Sequence, residues 1–194
     1  MSALIKRRKY TPEEYLVLEE KAEYKSEYEN GEIVAMAGGS LNHAQITANI
    51  GRNIGNKISE ECSALTTDVK VRVESYRKFY YPDVLVICGA PIFYQKRSDT
   101  ITNPILIVEV LSDSTEAKDR GEKFAAYQSL ETLQEYILVS QDKAKVEQFT
   151  RQTDESWKYQ ATIGLKSKVK FIFIETELTL EEIYRRVEFS QENL

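Results

Sequence analysis

Two acidic residues, Asp83 and Glu109, lie in stretches of sequence that are otherwise almost entirely aliphatic. Glu109 is the only charged residue of ILIVEVL (105–111), and Asp83 follows Pro82 at the start of the apolar run VLVI (84–87). Runs of this kind predict strands that are covered on both faces. An ionised carboxylate in such a strand is costly, so Glu109 should have a cation, a hydrogen-bond network or a proton that it keeps, and Asp83 poses the same problem.

The partner that suits two acids on neighbouring strands is a divalent metal ion. Carboxylate oxygens with open positions between them favour Mg²⁺ or Mn²⁺ over zinc. An ion held there would polarise a phosphate, lower the pKa of a bound water and stabilise charge on the leaving oxygen, which predicts hydrolytic chemistry. The structural alternative is a buried Glu109 tied to a lysine or to backbone amides, with Asp83 serving only as a strand-entry aspartate.

The elements before these acids are predicted from caps, turns and periodicity. Thr11 and Pro12 begin a helix with an apolar side at Tyr15, Leu16 and Leu18. The segment YKSEYENGEIVAMAG predicts a strand pair that turns at Asn30-Gly31. Ser40 can cap a helix from Leu41 to about Ser59, whose core-facing stripe is formed by isoleucines at every fourth position: Ile46, Ile50, Ile54 and Ile58.

The remaining chain predicts a mixed sheet. ALTTDVKVRVES (64–75) alternates like a half-exposed strand, YYPDVLVI contains a central strand, and residues 89–103 form a surface connection. The order of ILIVEVLS, helical DRGEKFAAYQSL and EYILVS is that of a crossover unit. Three further strands, in KVEQFTRQ, SWKYQATI and KVKFIFI, and a short helix in TLEEIYRR complete an α/β (α+β) fold with antiparallel additions.

Composition limits the class of protein. The 194 residues, 42% of them hydrophobic, predict a single domain over residues 1–194. Cys62 and Cys88 are too few for a disulfide framework, so we predict buried free thiols and, without a signal-like or membrane-spanning segment, a cytoplasmic location. The net charge of -5 argues against binding nucleic acid by bulk electrostatics, and the basic stretches LIKRRKY and QKRS fit a solvated surface.

Five stretches follow one another in a specific order over roughly residues 10 to 150: ENGEIVAMAGGSLNH, YYPDVLVI, ILIVEVLSDST, DRGEKFAAYQ and EYILVS. In these stretches the sequence resembles the Uma2-type restriction endonuclease family of the PD-(D/E)XK nuclease superfamily. The resemblance implies a restriction-endonuclease-like core of a mixed central sheet flanked by helices, with Asp83 and Glu109 in the places of the two motif acids. It further implies a Mg²⁺- or Mn²⁺-dependent endonuclease that hydrolyses DNA, with RNA as the alternative substrate.

The superfamily's lysine, two residues after the second acid, is replaced here by Leu111. In variants of the superfamily this lysine lies on the following helix, which implies Lys123. The three- and four-residue spacing of Arg120, Lys123 and Tyr127 predicts one helical face directed toward Glu109. An ordinary surface lysine is the alternative for Lys123.

Other residues are assigned by the resemblance alone. Glu27 and Glu32 match acidic positions that can complete the metal shell, and Glu27 is the one we favour. His43, the only histidine, matches a family position for a proton carrier or phosphate contact, with a plain helix-surface histidine as the alternative.

Two non-catalytic functions compete with the nuclease. A nuclease-like nucleic-acid-binding protein that has lost catalysis is suggested by Leu111 and the acidic net charge. An assembly module would use the sheet edges and the apolar helix for self-association. Self-association is also compatible with catalysis, and we expect a homodimer by analogy with nucleases that pair their active sites.

Overall fold

A six-stranded and a five-stranded sheet form the body of the molecule in the computed structural model, which describes residues 8–189. The helices are α1 Pro12–Glu19, α2 Leu41–Gly55, α3 Glu116–Lys118, α4 Phe124–Tyr127 and α5 Leu180–Ile183, and a π-helical segment, Asp119–Lys123, joins α3 to α4. The strands are β1 Ser26–Glu29, β2 Glu32–Ala35, β3 Cys62–Thr66, β4 Lys70–Val73, β5 Lys78–Tyr80, β6 Val84–Cys88, β7 Thr100–Ile101, β8 Leu106–Leu111, β9 Glu135–Ser140, β10 Lys145–Arg151, β11 Trp157–Ile163, β12 Lys168–Phe171 and β13 Thr176–Thr179.

The six-stranded sheet has the order β11-β10-β9-β8-β6-β3 and contains the predicted crossover, because β8 and β9 pair in parallel on either side of the helical segment 116–127. Every residue of β8 is buried. Val108 and Val110 pack with the predicted isoleucine stripe of α2 on one face. Ile107 and Leu111 pack under α4 on the other face, and strand alternation puts Glu109 on that same side.

The predicted hairpin is confirmed as β1 and β2, whose residues pair antiparallel around Asn30-Gly31. Asn30 and Gly31 both have positive φ angles, 47° and 101°, as a two-residue hairpin turn with the twist of the strands requires. The hairpin belongs to the five-stranded sheet, of order β2-β1-β5-β4-β7. The helix start at Thr11 is confirmed by a capping box with Glu14, although Leu18 is exposed.

One predicted strand is wrong. Residues 64–75 contain two strands in different sheets, since β3 pairs with β6 whereas β4 pairs with β5 and β7. Thr67, with φ 54°, turns the chain between them. The polar residues that suggested an exposed face on β4 are buried, because Lys70 pairs with Asp99 at 2.6 Å and Arg72 covers the Phe79 ring.

Three boundaries also differ from the prediction. Helix α2 ends at Gly55, so Ile58 packs against the core from beyond the helix. The strand predicted in KVKFIFI ends at Phe171, and Ile172 and Phe173 are exposed in the turn that follows. Strand β13, after this turn, was not predicted. The connection 89–103 includes the short strand β7.

The two cysteines are joined as a disulfide, which corrects the prediction of free buried thiols. Cys62 and Cys88 are directly opposed in the β3–β6 register, with their Cα atoms 4.0 Å apart, and both are only partly buried. Their separation in sequence concealed this proximity. None of the helices within residues 8–189 combines the length and the apolar composition that a membrane span requires. The cytoplasmic location remains a prediction.

Candidate active site

A cleft of about 560 Å³ lies between the hairpin β1–β2, the start of α2 and the helical segment 116–127. All five residues that the sequence analysis selected line it: Glu27, His43, Asp83, Glu109 and Lys123. The choice of Glu27 over Glu32 agrees with their positions, because Glu27 is buried on β1 whereas Glu32 is exposed on β2. Of the basic stretch LIKRRKY, residues 4–7 lie outside the described residues, and Arg8 is exposed and pairs with Glu14. Arg97 of QKRS is paired with Glu20 and Asp99.

Asp83 and Glu109 are cross-strand neighbours, as predicted. Strand β6 pairs antiparallel with β8, and the pairing of Val84 with Val108 places the residue before β6 beside Glu109. The Val110 amide donates a hydrogen bond of 2.7 Å to Asp83 Oδ2. Within residues 8–189 no hydrogen bond reaches Asp83 Oδ1, so one oxygen anchors the side chain and the other is available to a ligand.

Glu109 is 3% exposed and receives two contacts on the same oxygen. Lys123 Nζ lies 3.3 Å from Oε1, and the Tyr127 hydroxyl donates to Oε1 at 3.2 Å. Burial raises the pKa of Glu109 well above its usual range, although Lys123 opposes this rise. The nearby carboxylates of Asp119, Asp83 and Glu27 increase the pKa further. Glu109 therefore lacks enough positive charge to compensate its ionised form.

Lys123 is the central cation of the cleft. Its amine lies 3.1 Å from Glu27 Oε1, 3.3 Å from Glu109 Oε1 and 3.3 Å from Asp119 Oδ1. Burial alone would lower the pKa of this amine, but the surrounding carboxylates raise it well above its usual value, so Lys123 stays protonated. The helix thus supplies to Glu109 the amine that Leu111, packed in the core of the same strand face, cannot provide.

The π-helical segment decides which residues face the cleft. In a regular α-helix Arg120 would share a face with Lys123, as we predicted, but Arg120 instead pairs with Glu116 and Glu147. The wider turn thus moves Arg120 off the face that Lys123 shares with Asp119, and Asp119 on that face is 2% exposed. Asp119 was missed by the sequence analysis, and its signal was the four-residue spacing of Asp119, Lys123 and Tyr127.

His43 lies at the first turn of α2, where its amide donates to the Ser40 cap. Its Nε2 lies 3.2 Å from Asp83 Oδ2, and its side chain is 20% exposed, so it is a cleft residue and not a solvated helix-surface histidine. Burial would lower the pKa of His43, but the hydrogen bond and charge of Asp83 raise it above its ordinary value.

The charge balance of the cleft fits a bound cation. Five carboxylates line the cleft, those of Glu27, Asp83, Glu109, Asp113 and Asp119, and its basic groups are His43, Lys123 and the partly exposed Lys118. Glu27 Oε1 and Asp119 Oδ1 are buried and lie within ion-pair distance of Lys123, yet the contact angles satisfy no hydrogen bond for either oxygen. Negative charge and oxygen acceptors are both in excess, which is the donor set that Mg²⁺ or Mn²⁺ prefers.

The carboxylates of the cleft surround lysine amines and leave no position ready for a metal ion among the described residues. In the part of the chain that the structure describes, no three His, Cys, Asp or Glu side chains are grouped so that they could hold a metal ion without moving. Lysine amines lie among the oxygens instead, so a metal ion would have to be accompanied by side-chain rotation. The residues fit the ion by chemistry and by charge.

Comparisons with known proteins agree on the family and the fold. Residues 12–181 match the family model Uma2, described as "Putative restriction endonuclease". Two uncharacterised proteins of Synechocystis sp. are similar to the chain. The protein sll1609 is 35% identical over 84% of this chain and 93% of its own length. The protein slr1290 is 37% identical over 93% of this chain and 94% of its own length. A crystal structure from Anabaena variabilis, titled a "putative nuclease belonging to DUF820", superposes with a TM-score of 0.74 at 17% identity, covering 90% of this chain and 97% of that chain. The predicted restriction-endonuclease-like fold is confirmed.

The single histidine makes the His43–Asp83 contact directly measurable. We expect the imidazole proton resonances of tag-free protein to titrate with a pKa above the ordinary value of about 6.5. In Asp83→Asn the raising charge is gone while burial remains, so the pKa should fall below that value. Asp68→Asn, at an exposed aspartate, should titrate like the wild type. Identical titration of wild type and Asp83→Asn would contradict the contact.

Glu109→Gln should stabilise the metal-free protein. A carboxyl whose folded pKa is raised loses stability as pH rises from its unfolded pKa, about 4.3, toward its folded pKa, whereas glutamine does not titrate. We therefore expect little difference at pH 4 and a gain of roughly 1–3 kcal/mol near pH 7 to 8, measured by urea unfolding with EDTA. Glu131→Gln, at an exposed glutamate, is the control. Destabilisation of Glu109→Gln at neutral pH would contradict the charge excess.

Proposed function

The chain belongs to the Uma2 family, and we propose that it is a metal-dependent endonuclease that hydrolyses phosphodiester bonds of DNA. The observation that carries the proposal is the contact of 3.3 Å between Lys123 and Glu109 in a cleft that also contains Asp83. The contact supports the proposal because it brings the Lys123 amine, from the helical segment, to the two acids that the resemblance assigns to the PD-(D/E)XK pattern.

Asp83, Glu109 and Glu27 would hold the Mg²⁺ or Mn²⁺ ion. When bound, such an ion supplies Lewis-acid polarisation of the phosphate and lowers the pKa of a water molecule. Glu27 is suited to a ligand role because it stays ionised: burial would raise its pKa, but Lys123 and Lys118 lower it below its usual value. Glu109 would gain most from the ion, since its own charge is poorly compensated.

The protein's own groups would position and stabilise. Lys123 stays protonated, so its role would be to orient the attacking water and to stabilise negative charge on the pentavalent phosphorus, not to act as a base. His43 faces Asp83, whose charge raises the pKa of the imidazole above its ordinary value, and this suits a group that delivers a proton to the leaving oxygen.

The degenerate-nuclease alternative was motivated by Leu111 and by the net charge of -5. Leu111 is a weaker reason for this alternative now, because Lys123 provides an amine beside Glu109. The net charge still favours the degenerate protein, and a cleavage assay distinguishes it from an active nuclease. The homodimer remains an expectation by analogy.

We expect purified protein to nick supercoiled plasmid with Mg²⁺ or Mn²⁺ and not with EDTA. Asp83→Asn and Lys123→Gln should each lower the rate on the order of 100-fold or more, the scale for losing one electrostatic group at a reacting phosphate. Asp154→Asn, a matched change in an exposed turn, should leave the rate unchanged. Gel densitometry over a time course gives these rates.

Two results would count against the nuclease. Absence of nicking with every divalent ion tested would favour the degenerate protein, provided that calorimetry shows no Mn²⁺ binding that depends on Glu109. Equal nicking by wild type and Asp83→Asn would indicate a contaminating nuclease or a different site.

A further inference from the structure

Lys118 is a second lysine of the cleft, and it was not assigned by the sequence pattern. It precedes the π-helical segment, and its amine donates to Glu27 Oε2 at 2.8 Å and also pairs with Glu29. Its side chain is 26% exposed and lines the cleft, whereas that of Lys123 is 7% exposed. Lys118 is therefore the lysine that can reach a substrate at the opening of the cleft.

Glu27 is a proposed metal ligand and also the ion-pair partner of two lysines. Its Oε1 lies near the Lys123 amine, and its Oε2 accepts a hydrogen bond from the Lys118 amine. A cation and an ammonium group at the same carboxylate repel each other, so metal binding at Glu27 should weaken the Glu27–Lys118 pair. In the metal-free protein the Lys118 ammonium supplies part of the charge that the ion would bring.

Release of Lys118 would leave little uncompensated charge behind. Glu29, its other partner, also lies 3.9 Å from Lys78, which in turn pairs with Glu122. Glu29 would thus keep a cation when Lys118 moves. The four-carbon stem of Lys118 allows the amine to swing toward the opening of the cleft, where Ser114 and Thr115 provide polar neighbours.

We propose that Lys118 is a phosphate-binding residue of the substrate site that is held on Glu27 and Glu29 until a divalent ion displaces it. The proposal rests on the proposed function, since it requires Glu27 to bind the ion. It deepens that function by coupling metal binding to nucleic-acid binding through one side chain. Such coupling is reciprocal, so metal and nucleic acid should each strengthen the binding of the other.

The first test measures metal affinity without substrate. Lys118→Met keeps the length of the side chain and removes the competing charge, so calorimetry should show Mn²⁺ binding about 3-fold tighter or more, the size expected from losing a partly exposed ion pair. Lys118→Arg keeps the charge and should bind Mn²⁺ like the wild type. Lys78→Met changes the same ion-pair network without touching Glu27, and it should not tighten Mn²⁺ binding.

The second test measures nucleic-acid affinity without turnover. A fluorescent DNA duplex is titrated with protein in EDTA and in Ca²⁺, with gels to confirm that the DNA stays intact. Wild type should bind more tightly in Ca²⁺, and Lys118→Met should lose most of that gain. The slope of log affinity against log salt should also fall in magnitude by about 0.9, as for the loss of one phosphate contact. Lys118→Arg should retain both properties.

Tighter Mn²⁺ binding together with weaker DNA binding in Lys118→Met supports the proposal. A residue with a merely structural role would weaken both when replaced. Mn²⁺ affinity that is equal or lower in Lys118→Met, or DNA affinity in Ca²⁺ equal to that of the wild type, would overturn it. These failures differ from failure of the proposed function. If the proposed function itself is wrong, the wild-type protein shows no Mn²⁺ binding that depends on Glu109, and there is then no metal binding to couple to DNA binding.

Discussion

The surplus of buried negative charge around Lys123 is the interaction on which the rest of the site depends. One amine contacts Glu27, Glu109 and Asp119, and Asp83 lies beside Glu109. Buried carboxylates without full compensation oppose folding, and an arrangement selected for stability alone would replace some of them by apolar groups. Their retention in a cleft is the pattern expected of a site that keeps its charge for a ligand.

The fold brings these charges together from three directions. Strand β8 and the entry to β6 supply Glu109 and Asp83 from the six-stranded sheet, and β1 supplies Glu27 from the five-stranded sheet. The helical segment 116–127 closes the cleft with Asp119 and Lys123, and its π turn moves Arg120 off the face that these two side chains share, so that Arg120 pairs with Glu147 outside the cleft. The elements position the site by ordinary apolar packing, which leaves the polar residues free for chemistry.

The sequence predicted the acids and the family but not the details of their surroundings. Asp83 and Glu109 were identifiable because aliphatic neighbours make a carboxylate conspicuous, and Lys123 because the resemblance supplied a lysine on the helix. Asp119 was missed although it stands four residues before Lys123, and Arg120 was placed wrongly because nothing in local composition signals a π turn. The division of residues 64–75 between two sheets and the pairing of Cys62 with Cys88 depend on contacts between distant segments, which periodicity does not report.

Whether the buried carboxylates bind a metal ion can be seen by anomalous diffraction from Mn²⁺-soaked crystals. We expect a manganese peak within ligand distance of carboxylate oxygens of Asp83 and Glu109, with the Lys123 amine still close to Glu109. The peak should be lost in crystals of Glu109→Gln. If Mn²⁺ is found only on surface carboxylates, with Asp83 and Glu109 unchanged, the cleft is not a metal site.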